Sequence, residues 1–169
     1  MNQEAIREAI DNLELLNIKL RGSSFQVNEE IEGVIRADMQ QQSMLHIEGE
    51  VIDDALESSN AQKTANMLQV KITLGTRYIL KIDNSLKDKV KKGHVETSSE
   101  PTELAKIEAT FLLEYLIKGE INDSSIKEFC EFNSVHNCWS FWREHVFSVC
   151  QKAHIPVFSI PFFKSTNNK

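Results

Sequence analysis

The stretch Cys138-Trp139-Ser140-Phe141-Trp142-Arg143-Glu144-His145-Val146-Phe147, set within Ser134 to Ala153, decides the fold. Val135, Cys138, Trp139, Trp142, Val146, Val149, Cys150 and Ala153 recur at steps of three and four, so they share one face of a helix. Both tryptophans lie on that face. Phe141 and Phe147 fall off the stripe, which leaves the helix apolar around more than half its circumference. A helix that only covers a sheet needs an apolar stripe of roughly 100°. The surplus predicts a second contact, either another subunit or a ligand of loose specificity.

What this helix covers lies upstream. Between Leu104 and Ile117, Ile107, Ala109, Phe111, Leu113, Tyr115 and Ile117 alternate with Lys106, Glu108, Thr110 and Glu114, the period of a half-buried strand. At roughly 1.5–3 kcal/mol per large apolar side chain buried, that face is too costly to leave wet. Met67 to Ile82 repeats the pattern through Leu68, Val70, Ile72, Leu74, Tyr78 and Leu80. Met44 to about Leu56 alternates Leu45, Ile47 and Val51 with His46, Glu48 and Glu50, and Gly49 inside it marks a bulge or a close approach of another backbone. Leu13 to Arg21 places Leu16, Ile18 and Leu20 on one side; Gly22 breaks it, and Phe25 and Val27 resume. Leu112, Leu116, Ile52 and Ile79 predict a second sheet face that is not wholly polar.

The connections complete the layout. Residues 1–11 carry a short amphipathic helix. Residues 28–43 are polar and read as a connection, 57–63 as a turn, and 83–103 as a solvated loop insertion with Lys87, Lys89, Lys91 and Lys92. Asp123 or Ser124 caps a short helix through Glu131, and Asn133 or Ser134 caps the long one. After Pro156, Val157 to Phe163 is an extended apolar segment that returns across the core, and residues 164–169 form a frayed tail. Strands followed by helices give an α+β fold: a four-stranded antiparallel sheet with C-terminal helices packed on one face, in a single domain spanning residues 1–169.

Composition narrows the function. Charged residues make up 26% of the chain and hydrophobic ones 41%, an ordinary globular balance. A net charge of −6 argues against nucleic acid as the main partner. No apolar run is long enough for a membrane span, and the N-terminus lacks the basic-then-apolar pattern of a secretory signal. Three cysteines without regular spacing fit a reduced, cytoplasmic setting. His145 and Cys150, five apart on a helix, cannot form a nucleophile–base pair, and Cys138 and Cys150 fall on the apolar stripe. His136, His145 and His154 are too far apart to share an ion, so no metal site is expected. No catalytic constellation and no cofactor loop is present. Glu48 and Glu50 read as a solvated strand face or as a binding face, and Arg143-Glu144 as a partly buried pair or a polar rim. What remains is an excess of aromatic residues, namely Phe25, Trp139, Phe141, Trp142, Phe147, Phe158, Phe162 and Phe163. They fit either a core with an oligomer interface or a groove for non-native apolar polypeptide.

Order and motif resemble the SecB export-chaperone family. The likeness runs from near Leu13 to Lys164 and is strongest in Cys138 to Glu144, which is similar to that family's aromatic-Pro-aromatic-x-Arg-Glu helix start. Ile155-Pro156 and Ile160-Pro161-Phe162 follow, like its Pro-rich apolar end. Ser140 stands where the family usually has proline, the 83–103 loop is longer, and no long acidic tail follows. The resemblance implies a homotetramer built as a dimer of dimers, with neither ATP nor catalysis. It implies unfolded preproteins as clients in apolar grooves, and delivery to the SecA motor through an acidic outer sheet face, where Glu48 and Glu50 take that role by position. Some SecB-like proteins serve instead an antitoxin of a toxin–antitoxin pair. Three functions therefore fit the chain: a holdase, a dedicated antitoxin chaperone, or a thiol enzyme using Cys130, Cys138 or Cys150.

Overall fold

A computed structural model describes residues 2–29, 39–56, 63–80 and 102–163. The chain runs α1 (Gln3–Asn12), β1 (Leu13–Val27), β2 (Met39–Leu56), β3 (Lys63–Leu80), β4 (Glu103–Ile117), α2 (Asp123–Phe129) and α3 (Val135–Ala153), with a π-helical turn at Cys130–Ser134 between the last two. The strands form one sheet in the order β1-β4-β3-β2, every pair antiparallel. This is the expected α+β arrangement, with the helices on one face.

Register explains the core. Phe111 of β4 lies between Ile72 of β3 and Leu20 of β1, and Leu113 between Val70 and Ile18. Directly paired residues share a face. The alternating rows of β3 and β4 are therefore buried together, and Val135, Cys138, Trp142, Val146 and Cys150 of α3 are buried with them. On the opposite face Ile79 and Met67 are buried and Leu112, Leu116 and Ile52 half-buried, so that face too is partly apolar.

Several local expectations change. β2 begins at Met39, not Met44, because the Gln40-Gln41-Gln42 run pairs with Ile79, Tyr78 and Arg77. β3 begins at Lys63 rather than Met67. β1 is continuous through Gly22, but its register slips at Leu16 and at Arg21. These slips put Leu13, Leu15, Ile18, Leu20, Ser23, Phe25 and Val27 opposite the buried row of β4, and Leu16 leaves the face predicted for it. Gly49 marks neither a bulge nor another backbone: what approaches it is the Cys130 side chain, and a Cβ built there would lie 2.8 Å from its Sγ.

Asn122 caps α2, its side chain accepting from the Ser125 amide. No cap separates α2 from α3; Ser134 is helical, buried and makes no capping bond. A π turn keeps the helices in one run with a single extra residue's worth of rotation. His154 closes α3 in the left-handed conformation at φ 56°, and the Ile155 amide donates to the Cys150 carbonyl at 3.2 Å. The chain then turns back along α3, as expected. Residues 83–101 of the predicted loop, 57–62 of the turn, 30–38 of the first connection and the 164–169 tail lie outside the described residues.

Candidate functional site

Among the described residues, α3 packs chiefly on the two central strands, β3 and β4. On β1 the helix-side residues Leu15, Leu20, Phe25 and Val27 are exposed, and on β2 so are Leu45 and Val51. One hydrogen bond of 2.8 Å between Ser23 Oγ and His145 Nε2 ties α3 to the β1 edge. The His145 ring also stands edge-on to Phe111 at 6.4 Å. Phe141 is one turn before His145 and so lies on the β1 side. It is exposed, as are Leu15, Leu20 and Phe25 on the helix side of that edge strand. Phe147 faces the other flank, a groove of about 390 Å³ shared with Arg143, Glu144, Val157 and Ile160. The two aromatics that fell off the stripe thus serve opposite sides of one helix.

The C-terminal segment lies along that second flank. Phe158 is buried and stacks on Tyr78 with ring centroids 3.7 Å apart. Trp139 Nε1 donates to the Pro161 carbonyl at 2.8 Å and its ring meets Phe163 at 5.3 Å. The Arg143 guanidinium sits 4.6 Å from the Phe162 ring centre. Arg143 and Glu144 are both exposed, so the pair is a polar rim.

Of the eight aromatic residues proposed from sequence, Phe25, Phe141, Phe147 and Phe162 are exposed, while Trp139 and Phe163 are half-buried. Trp142 and Phe158 require correction. At 2% and 3% exposure they belong to the core and cannot touch a client. Both sit on the stripe or turn that faces β3 and β4, so packing claims them. The aliphatic residues Leu15, Leu20, Val27, Leu45 and Val51 are exposed on the helix side of the sheet as well, which the alternation does not predict because which strands become edges is not written in any single strand.

Glu48 and Glu50 point away from the helices. Glu48 lies 3.2 Å from His46 Nε2 and 3.1 Å from Lys71 Nζ, and these hydrogen bonds hold its carboxyl below the usual carboxylate range. Elsewhere on the face Lys19 reaches Glu114 at 2.6 Å, Lys106 reaches Glu108 at 2.9 Å and Arg77 reaches Glu103 at 3.1 Å. The Lys19 bond lowers the Glu114 carboxyl against the opposing cost of burial. Glu48, Glu103, Glu108 and Glu114 thus each have a basic neighbour, and the pairs with Lys71, Arg77 and Lys19 become visible only once the strand register is known, while Glu50 lies opposite Gln69.

All three cysteines are free and buried. Burial pushes the Cys130 thiol up to about 11 and Cys138 up to about 12. Burial raises Cys150 as well, with the Phe158 amide opposing. None is a thiolate near neutral pH, so none is an activated nucleophile. Among the described residues no cluster of His, Cys, Asp and Glu is arranged to hold a metal ion, and no helix is long and apolar enough to cross a membrane.

Neither a protein-family model nor a curated protein matches this chain. Among solved structures, the SecB-like chaperone Rv1957 of Mycobacterium tuberculosis, in complex with a ChAD peptide from the Rv1956 HigA1 antitoxin, is similar over 97% of this chain and 99% of its own, with a TM-score of 0.64 and 12% identity. Four antiparallel strands, the covering helix and that likeness together give this chain the fold of a SecB-like chaperone.

Proposed function

We propose that the chain is an ATP-independent holdase that grips unfolded polypeptide on the apolar flanks beside α3. The observation that carries the reading is the uncovered apolar surface: Phe141 with Leu15, Leu20 and Phe25 on one side, Phe147 on the other. Burial of such surface is non-directional and asks for no particular client sequence. A holdase binds the unfolded chain and withdraws it from aggregation by mass action. The fold likeness to a SecB-like chaperone supports the same reading, and the buried, protonated thiols argue against thiol chemistry.

Phe25, Phe141, Phe147 and Phe162 are the contact residues, with Trp139 and Phe163 at the margin. The working form is a cytoplasmic homotetramer, a dimer of dimers in which repeated weak contacts gain through avidity. It uses no cofactor, binds no nucleic acid and does not insert into membranes. Unfolded preproteins are the clients, and SecA meets the Glu48–Glu50 face.

The test is light scattering from a reduced, unfolded client diluted into buffer. Equimolar chaperone should suppress the rise, and Phe141→Ser/Phe147→Ser should not. Unchanged aggregation with the native protein rules the holdase out. A second reading, a dedicated chaperone of a toxin–antitoxin pair, is favoured by the antitoxin peptide carried by the similar structure. Cross-linking in cell extract separates the two: one dominant trapped polypeptide supports the dedicated role, and many preproteins support export.

A further inference from the structure

Three side chains read the returning segment by its main chain. Tyr78 Oη donates to the Val157 carbonyl at 3.1 Å, Gln41 Nε2 to Ser159 at 3.1 Å and Trp139 Nε1 to Pro161 at 2.8 Å. These carbonyls belong to alternate residues, the repeat of an extended chain. The donors come from β3, β2 and α3, three separate elements. Between them Phe158 is buried, Ile160 half-buried and Phe162 exposed over Arg143. Any extended peptide offers a carbonyl at every second residue, so the donor row does not depend on sequence. The apolar side chains in between are those of an unfolded client.

We propose that Tyr78, Gln41 and Trp139 form a main-chain-reading peptide track that residues 157–161 of this chain occupy as a displaceable strap. The occupant that replaces the strap is an extended apolar segment of another polypeptide, and this deepens the holdase reading on which it rests. Phe158, wedged against Tyr78, is the last part of the strap to leave. The strap opens from its far end, where Phe162 is 74% exposed and the ring contact to Arg143 lies at the surface. Segments with few buried contacts open locally at small cost. Opening frees the Trp139 indole N–H and lengthens the Phe147 groove in one movement.

The test uses a fluorescein-labelled peptide with the sequence Ile-Pro-Val-Phe-Ser-Ile-Pro-Phe-Phe, titrated into the full chain by anisotropy. Ile160→Ser loosens the strap without replacing a donor or a client-contact residue. If the strap fills the track about 90% of the time, that variant binds the peptide about tenfold more tightly than the native chain. Adding Trp139→Phe removes one donor and should cancel most of the gain. Should the Ile160 variant lose its native circular dichroism, Arg143→Gln releases the far end, where its guanidinium sits over Phe162, and is held to the same expectation. Equal peptide affinity for native and loosened chains, or no binding to either, overturns the track. An unfolded client titrated in parallel keeps the two readings apart. Peptide binding without client binding supports the track and ends the holdase reading; client binding without peptide binding does the reverse.

Discussion

Trp142 and Phe141 are neighbours in sequence with opposite fates. Trp142→Ala should cost about 3–5 kcal/mol in a urea melt, the range for emptying a buried aromatic site. Phe141→Ser should move stability by roughly 0.5 kcal/mol or less, as surface changes do, while lowering client suppression. Equal destabilisation by the two would mean that Phe141 is a packing residue. Gly49 is the tightest point on β2. Gly49→Ala places a methyl against Cys130 Sγ and should destabilise by about 1–3 kcal/mol through overpacking. Combining it with Cys130→Ala should return part of that loss, an interaction that a double-mutant cycle measures. His145 sets a pH dependence. Burial lowers its pKa below the ordinary 6.5, Lys152 adds to the shift and Glu144 opposes it. The folded state therefore disfavours the charged ring. Its contribution is whole above pH 6.5 and is lost as pH falls through the lowered value. Thermal melts should show a fall below pH 6.5 that His145→Gln flattens. The carboxyls of Glu48 and Glu114, lowered from 4.5, act in a separate window further into acid.

At the level of elements, legibility followed period. β4 and α3 could be read from the sequence because their spacings are clean and the faces they predict are the faces they bury. In β1 the alternation predicts the wrong face for Leu16, since a bulge shifts parity without changing composition. The start of β2 was hidden by glutamines, which suit an edge strand as well as a loop. The join of α2 to α3 was read as a cap because Asn133 and Ser134 are good caps, yet the π turn carries the helix through them. That turn is itself testable. Deleting Asn133 should convert it to regular α-helix and rotate α2 by about 100° relative to α3. Phe129, whose ring now meets Tyr115 edge-on at 5.1 Å, would leave its place. A lowered urea midpoint with retained helical signal is the expected outcome, and unchanged stability would show that the π turn has no structural role.

For the molecule as a whole, the uncovered surface is a matter of layer width. One long helix spans two strands, and this sheet has four. The sequence showed too many aromatic residues for one core; it did not show that the surplus would divide between two flanks, because that depends on which strands lie at the edges. Client binding on those flanks should carry a negative heat-capacity change, the mark of apolar burial, in calorimetry at several temperatures. It should also depend only weakly on added salt, since Phe141, Phe147, Leu15, Leu20 and Phe25 are uncharged and Arg143 and Glu144 stand at the rim of one flank alone. A steep loss of affinity with salt would point instead to the charged outer face.

The two slips in β1 bear on a hazard peculiar to this architecture. An open sheet presents long borders on which further strands can stack, and regular borders seed cross-β fibrils. Leu16 and Arg21 each interrupt the even spacing of the border, so a newcomer cannot continue the ladder along its full length. Removing both residues would straighten that border, and thioflavin-positive fibres should then appear sooner on gentle agitation.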